Sequence, residues 1–522
     1  MSQLGEAKGD KFRFKKNQIG FLDILLSSKP EVKTDRGFKE FREKIRKFSG
    51  VKPKSPSPLF QGTLRGYQKE GLGWLFFLRE FGLGGCLADD MGLGKTIQVL
   101  ALLQMVHGEK ENGSATNLVV VPSSLLFNWK EEAGRFTPDL RIFLHGGPGR
   151  KKPGEHFKEF DLVLTTYGTL RSDILLFQEI PFHYVILDEA QAIKNSNSQT
   201  SKSVRLLQAA HRLALSGTPI ENHVGELWSL FEFLNPGILG KKTGFKRGTA
   251  AKKTGLEERR ILAGAVKPFI LRRTKEVVAT DLPQKTEQTI YCEMKPSQRK
   301  VYEELKKHYQ FSLVKNVKEK GVDTNRFQIL EALLRLRQVA CHPALIKDEM
   351  AKTSSCKLDT LRESLKEVVE EGHKALVFSQ FTSFLALVKK ELDKDGIKYQ
   401  YLDGSTRDRQ ERVELFQNDE SYSLFLISLR AGGVGLNLTR AEYVFILDPW
   451  WNPAVEAQAI DRAHRIGQTR NIFAYRLICK DTVEERVLAL QKGKKELADS
   501  IISEDKSVLQ GLQVEDLEFL LS

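Results

Sequence analysis

Cysteine is scarce in this chain. The five present (Cys86, Cys292, Cys341, Cys356 and Cys479) are scattered along 522 residues with no close pair. That spacing excludes a disulfide framework and the paired ligands of a zinc module, and it favours a reducing interior. Long apolar runs are also missing. None approaches the roughly 18 residues that cross a bilayer, so no membrane association is expected. Residues 1–16 are polar and charged and give no sign of a secretory leader. Acidic residues are outnumbered, 67 against 81 Lys and Arg, for a net charge of +14. Residues 1–60 hold 15 of the basic and 7 of the acidic residues, so +8 of the excess sits in that arm. A basic protein with a basic arm points towards nucleic acid, although a solvated surface has the same composition. At 41% hydrophobic and 28% charged, the chain otherwise reads as globular.

Against these absences one stretch stands out. Asp89-Asp90-Met91-Gly92-Leu93-Gly94-Lys95-Thr96 follows the short apolar run Gly85–Ala88 and leads into the helical pattern Ile97–Leu103. Strand, glycine turn, Gly-Lys-Thr and helix make the layout of a phosphate-binding loop. Glycines let backbone N–H groups approach phosphate oxygens, and the helix start adds partial positive charge. Lys95 would then reach the β- and γ-phosphates of ATP, and Thr96 would hold Mg²⁺. The pattern departs from the usual one at its first position, where Asp89 replaces glycine.

Residues 1–60 read as a basic extension with two helical patterns, Phe21–Leu26 and Phe38–Ile45, and a proline-rich linker, Val51–Pro58. Residues 61–235 alternate short apolar strands with amphipathic helices. The strands are expected at Cys86–Ala88, Leu118–Val121, Leu162–Leu164, Val185–Leu187 and Leu213–Leu215. Continuous Val/Leu/Ile runs mark parallel strands buried on both faces, and ligands sit at the carboxyl ends of such strands. Those ends carry Ser123 with Asn128-Trp129, then Thr165-Thr166-Tyr167, Asp188-Glu189-Ala190-Gln191, and Ser216-Gly217-Thr218. A carboxylate closing a buried strand is costly unless something binds it. Asp188 is thus assigned to Mg²⁺ and Glu189 to the attacking water.

Residues 236–355 are expected to be helical insertions and a linker, with a basic glycine-rich loop at Gly240–Lys253 and long helices at Gln298–Val314 and Phe327–Val339. His342 reads as structural. A second alternation covers 356–500, with strands at Ala375–Phe378, Tyr399–Leu402, Ser423–Ile427, Tyr443–Leu447 and Ile472–Leu477. Their ends carry Ser379-Gln380, Gly404-Ser405, the glycine stretch 428–439 with Arg430 and Gly435, and Trp450. No Gly-Lys-Thr loop occurs here, so this half should not bind a nucleotide of its own. Arg462 and Arg465, three apart, are expected on one helix face, where guanidiniums could neutralise charge on a γ-phosphate. Residues 501–522 read as a tail with one small acidic helix.

These motifs, in this order, resemble the motor of the Swi/Snf family of superfamily-two helicase-like ATPases. The resemblance covers roughly 61–500. It rests on Leu64–Gln68, Asp90–Thr96, Asp188–Gln191, Ser216–Pro219, Phe269–Lys275, the 428–439 stretch and Asp461–Gln468. That family also has Asp at the first loop position. The resemblance implies an α/β fold of two RecA-like parallel-sheet lobes, with ATP and Mg²⁺ between them and helical insertions. It implies that Gln68 reads adenine, that Asp90, Met91, Gly92, Leu93 and Gly94 line the nucleotide, and that Gly435 and Gln458 complete the site. Gln191, Ser216 and Thr218 would couple phosphate state to DNA grip. Double-stranded DNA would be held through its phosphates by Ser123, Asn128, Trp129, Thr165, Tyr167, Ser379, Gln380, Gly404, Ser405, Arg430 and Trp450.

The implied activity is ATP-dependent translocation on duplex DNA by a monomeric motor that displaces or remodels bound proteins. The short insertions, and Gln191 where many members have His, suggest a bacterial or archaeal type. Such a motor would be cytoplasmic and nucleoid-associated, whereas a eukaryotic one would be nuclear. Two other readings stand beside it: a strand-separating helicase, which needs a wedge, and a DNA-binding scaffold with a weak motor.

Overall fold

The computed structural model describes residues 6–8, 11–13, 51–108, 116–147, 150, 155–217, 224–239, 266–320, 326–347, 349–350, 353–429, 431, 436–450, 453–493 and 520. The chain divides into two compact units, Met1–Thr280 and Asp281–Ser522. A short antiparallel hairpin, β1 (Glu6–Lys8) and β2 (Lys11–Arg13), lies in the basic extension. The two helical patterns of that extension, the Gly240–Lys253 loop and the tail helix apart from Leu520 fall outside the described residues.

In the first unit the strands are β3 (Gly85–Leu87), β4 (Asn117–Val121), β5 (Ile142–His145), β6 (Leu162–Thr166), β7 (Pro181–Leu187), β8 (Gln208–Leu215) and β9 (Ile270–Leu271). They form one sheet in the order β5-β6-β4-β7-β8-β3-β9, and every pairing is parallel. All five residues of β4 and the last four of β7 are buried, which is why Leu118–Val121 and Val185–Leu187 are unbroken Val/Leu/Ile. Parallel neighbours need crossovers, and the helices Gly66–Glu80, Lys95–Gly108, Leu126–Phe136 and Val224–Leu234 are among those that pack around the sheet.

The second unit repeats the plan with β10 (Lys285–Cys292), β11 (Ala375–Ser379), β12 (Tyr399–Leu402), β13 (Leu424–Ser428), β14 (Tyr443–Ile446) and β15 (Ile472–Cys479). Its order is β10-β15-β14-β11-β13-β12, again all parallel. One apolar core on this sheet includes Phe384, Leu385, Val377 and Leu426, and another includes Phe378, Phe416, Ile427 and Ile460. All five cysteines are buried free thiols.

The stretch 236–355, expected to be helical insertions and a linker, departs from that expectation at two places. It holds the long helices Pro296–Lys320 and Arg326–Cys341, but it also supplies β9 to the first sheet and β10 to the second. Neither strand shows an apolar run. β9 has two residues, and β10 is an edge strand whose first four residues are exposed and polar. β5 was also not expected, although Ile142–Leu144 is apolar; three of its four residues are half-buried.

Candidate active site

Strand order brings the motifs together. β7, β8 and β3 are adjacent in the sheet, so their carboxyl ends set Asp188-Glu189, Ser216-Gly217 and the loop 89–96 side by side. The loop bends through Gly92 (φ 84°) and Gly94 (φ 77°), in the left-handed region that glycine tolerates. A Cβ on Gly217 would meet Met91 Cγ at 2.6 Å and Lys95 Nζ at 3.7 Å, so β8 ends hard against the loop. Lys95 Nζ donates to the carbonyl oxygens of Asp89 (2.7 Å) and Asp90 (3.3 Å). An ammonium group folded onto its own loop's carbonyls is available to a stronger acceptor, and phosphate oxygens are one.

Asp188 and Glu189 are both nearly buried, at 7% and 8% exposure. Asp188 Oδ2 accepts from the Trp129 indole N–H at 2.8 Å, and Oδ1 accepts from the Glu189 amide at 2.8 Å. Burial, and then the charge on Glu189, push the Asp188 carboxyl well above the usual carboxylate range. Glu189 itself has φ 48°, a left-handed conformation that costs a non-glycine residue energy and recurs at functional sites. Among the described residues, neither carboxylate has a Lys or Arg within ion-pair distance. Two adjacent buried carboxylates next to a Lys-Thr loop suit a hard divalent cation with oxygen ligands, so the residues present fit Mg²⁺.

A short relay leaves this pair. Gln191 Nε2 donates to Glu189 Oε2 at 2.7 Å, and Ser216 Oγ donates to Gln191 Oε1 at 3.4 Å. The strand ends of β7 and β8 are therefore joined through Gln191.

Other expected site residues fall differently. Gln68 is buried and both ends of its amide are engaged: Oε1 accepts from the Arg65 amide at 2.9 Å, and Nε2 donates to the Leu93 carbonyl at 3.1 Å. It thereby ties the loop, through Leu93, to the start of the helix Gly66–Glu80. Trp129, expected at the DNA, is 1% exposed and its indole N–H faces Asp188. Thr165 and Ser379, also expected at the DNA, face inward. Each is fully buried, with its hydroxyl bonded to the His145 carbonyl (2.8 Å) and to the Asp448 carboxylate respectively. A polar residue that closes a parallel strand can satisfy the sheet's own end as readily as it can face outward. Tyr167 is half-buried and donates to the Asp188 carbonyl at 2.8 Å. Ser123, Gly404 and Ser405 are exposed, while Asn128, Gln380, Gln458 and Trp450 are half-buried.

Arg462 and Arg465 do not share a helix face. The helix Pro453–Ile460 ends first, and the chain continues in tight turns, Ala463 N to the Ile460 carbonyl (3.0 Å) and Gln468 N to the Arg465 carbonyl (3.0 Å). Gln468 holds these turns by donating to the Ala463 and Ala441 carbonyls. Arg462 is buried and Arg465 half-exposed. Thr218, Arg430 and Gly435 lie outside the described residues.

Comparison with known proteins decides the family. The SNF2-related domain matches residues 67–345, more than half of the chain, and the helicase conserved C-terminal domain matches 356–467. The chain belongs to the SNF2-related family. The putative ATP-dependent helicase/translocase YwqA of Bacillus subtilis (strain 168) is 40% identical over 506 residues, covering 93% of this chain and 54% of that protein. An uncharacterized ATP-dependent helicase of Mycoplasma pneumoniae is 39% identical over 460 residues, covering 87% and 44%. The solved SWI2/SNF2 ATPase core of Sulfolobus solfataricus in complex with dsDNA is 36% identical, with a TM-score of 0.44, covering 91% of this chain and 99% of that one. The chain spans about half the length of the curated relatives it matches.

Trp129, Tyr167 and Gln191 are the site residues whose contacts the sequence hid. Their roles come from which strand end each one faces, and that depends on strand order. The apolar runs alone do not fix strand order.

Proposed function

We propose that the chain is an ATP-dependent double-stranded DNA translocase of the SNF2 type, which uses ATP hydrolysis to move along DNA and to remodel or displace bound proteins. The observation that carries this reading is the set of three adjacent strand ends, one carrying Lys95 and the other two, with Glu189 and Ser216, joined by the Gln191 relay. Lys95 binds the β- and γ-phosphates, and the loop 90–96 wraps them with backbone N–H groups. Thr96 and Asp188 hold Mg²⁺, which supplies neutralisation of phosphate charge. Glu189 orients the attacking water and takes its proton. Trp129 keeps Asp188 oriented for the metal. By the resemblance to Swi/Snf motors, Arg462 and Arg465 are assigned to neutralising γ-phosphate charge in the transition state. Loss of that phosphate is sensed at Glu189 and passed through Gln191 to Ser216. The exposed strand-end residues Ser123, Gly404 and Ser405, with Arg430, grip the DNA backbone, and the net charge of +14 favours that contact.

The test is the ATPase rate with no nucleic acid and with duplex DNA, single-stranded DNA or RNA. Duplex DNA should stimulate most, and equal rates in all four would remove the reading. Triplex displacement without strand unwinding then separates a translocase from a helicase.

A further inference from the structure

The first position of the phosphate loop, where glycine is usual, is Asp89, and its carboxylate is fully buried. A carboxylate at that depth needs a partner. Arg273 provides it. Asp89 Oδ1 accepts from the Arg273 amide (3.1 Å) and from its Nε (2.9 Å), and Oδ2 accepts from Nη2. The same guanidinium donates to Gln98 Oε1 at 2.9 Å and to the Tyr67 carbonyl, and it lies 5.1 Å from the centre of the Tyr67 ring.

The contact continues along the main chain. The Leu271 carbonyl accepts from the Ala88 amide (2.7 Å) and the Arg273 carbonyl from the Asp90 amide (3.0 Å), while Asp90 Oδ2 accepts from the Lys275 amide (3.0 Å). Space has been cleared for this cluster. A Cβ on Gly71 would sit 1.9 Å from Gln98 Oε1 and 2.8 Å from Arg273 Nη2. Asp89 thus faces two ways, its carboxylate to Arg273 and its carbonyl to Lys95 Nζ at 2.7 Å.

We infer that Arg273 is a positioning residue for the phosphate loop: through Asp89 it fixes the backbone from which Lys95 reaches the nucleotide. It also ties the loop to the segment that leaves the first unit, seven residues before Thr280. β9 has only two residues, too few to hold that segment by strand pairing alone. Loop and exit segment therefore respond to nucleotide as one piece. The inference rests on the nucleotide-binding part of the proposed function and not on DNA.

The test measures equilibrium binding of a non-hydrolysable ATP analogue with Mg²⁺, in the absence of DNA. Arg273→Lys keeps the charge and loses the fork. The double variant Asp89→Asn with Arg273→Met removes both charges together, which spares the fold an unpaired buried ion. Both should weaken analogue binding by roughly tenfold to a hundredfold, the scale of a loop displaced by about an ångström, well below their thermal midpoints. KM for ATP should rise more than kcat falls. A purely structural role would lower the midpoint and leave affinity unchanged, and that result in either variant overturns the inference.

If neither variant folds, hydrogen exchange in the unaltered chain decides. The analogue should slow exchange at 270–276 together with 90–96, and protection of 90–96 alone overturns it. Wild-type binding of the analogue without stimulation by DNA would sink the translocase reading and leave this inference standing.

Discussion

The two sheets share a plan, and both pair most of their buried carboxylates with cations, yet the first makes an exception at the end of one strand. In the second unit the buried acids meet cations. Glu484 pairs with Lys357 at 2.7 Å, both fully buried; Glu456 pairs with Arg476 at 2.7 Å; and Asp448 lies 4.0 Å from Arg337. At the carboxyl end of β7 in the first unit, Asp188 and Glu189 are also buried, but among the described residues their carboxylates bond only to an indole, an amide and the Gln191 side chain, with the Lys95 charge acting on Asp188 from beyond ion-pair distance. Desolvation without a counter-charge is unfavourable, so a site that keeps it is built for a cation that arrives. The second sheet has closed its strand ends on itself; the first has left one of them charged.

The largest effects test whether that charge is catalytic. Arg465→Ala should cut DNA-stimulated turnover by about 10³–10⁵ while the analogue and DNA still bind. Glu189→Gln should cut it by about 10²–10⁴. The same glutamine should raise the thermal midpoint of the nucleotide-free chain, because it removes a like charge beside Asp188. Near-normal turnover in either variant would mean the roles are misassigned, and a lower midpoint for Glu189→Gln would mean the acidic pair is not strained.

The paired acids of the second unit should behave otherwise. Burial alone would lower the Lys357 pKa, and Glu484 beside it more than reverses that. Lys357 also donates to the Leu447 carbonyl at 2.6 Å, and Glu484 accepts from the Cys479 amide at 3.1 Å. Lys357→Met alone leaves a buried carboxylate unpaired and should cost about 3–5 kcal/mol, read by denaturant unfolding. Adding Glu484→Leu should recover most of that loss. A double variant as unstable as the single one would show that the lost bonds to Leu447 and Cys479 matter more than the charge.

How much of this the sequence showed follows from the physics of each element. Strands buried on both faces announce themselves as apolar runs, so β4, β6, β7, β11 and β13 were legible, as was the glycine loop. β9 has only two residues and β10 opens with four polar ones, which hid them, whereas β5 was missed although Ile142–Leu144 is apolar. The catalytic candidates were legible because Lys95, Asp188 and Glu189 are unusual where they stand. What Trp129, Thr165 and Ser379 touch was not, because a side chain at a strand end turns inward or outward according to the neighbouring strand. Helical spacing placed Arg462 and Arg465 on one face, but Gln468 tightens that stretch into turns, and no periodicity reports such a bond. Arg273 and Asp89 are 184 residues apart, so only the fold pairs them.

The smallest effect sharpens the comparison inside the first unit, where Asp173, like Asp89 and Asp161, does have a cation. Asp173 accepts from Arg150 Nε (2.6 Å) and Nη2 (2.9 Å), and His145 Nε2 lies 2.9 Å away. Arg150, with help from His145 and against burial, lowers the Asp173 carboxyl from 3.8 to about 2. A depressed carboxylate binds fewer protons folded than unfolded, so its stabilisation is full above the unfolded value and is lost as pH falls through the folded one. Asp173→Asn should therefore cost about 2 kcal/mol at pH 7, and the gap should close between pH 4 and pH 2. Asp188 carries the opposite sign: its raised carboxyl holds a proton longer in the folded state, so its contribution worsens as pH climbs above the ordinary carboxylate range. Thermal unfolding of Asp173→Asn and the unaltered chain at pH 7, 4 and 3 checks this. A gap that stays constant with pH would make the loss one of packing, and the contrast between paired and unpaired acids would no longer rest on charge.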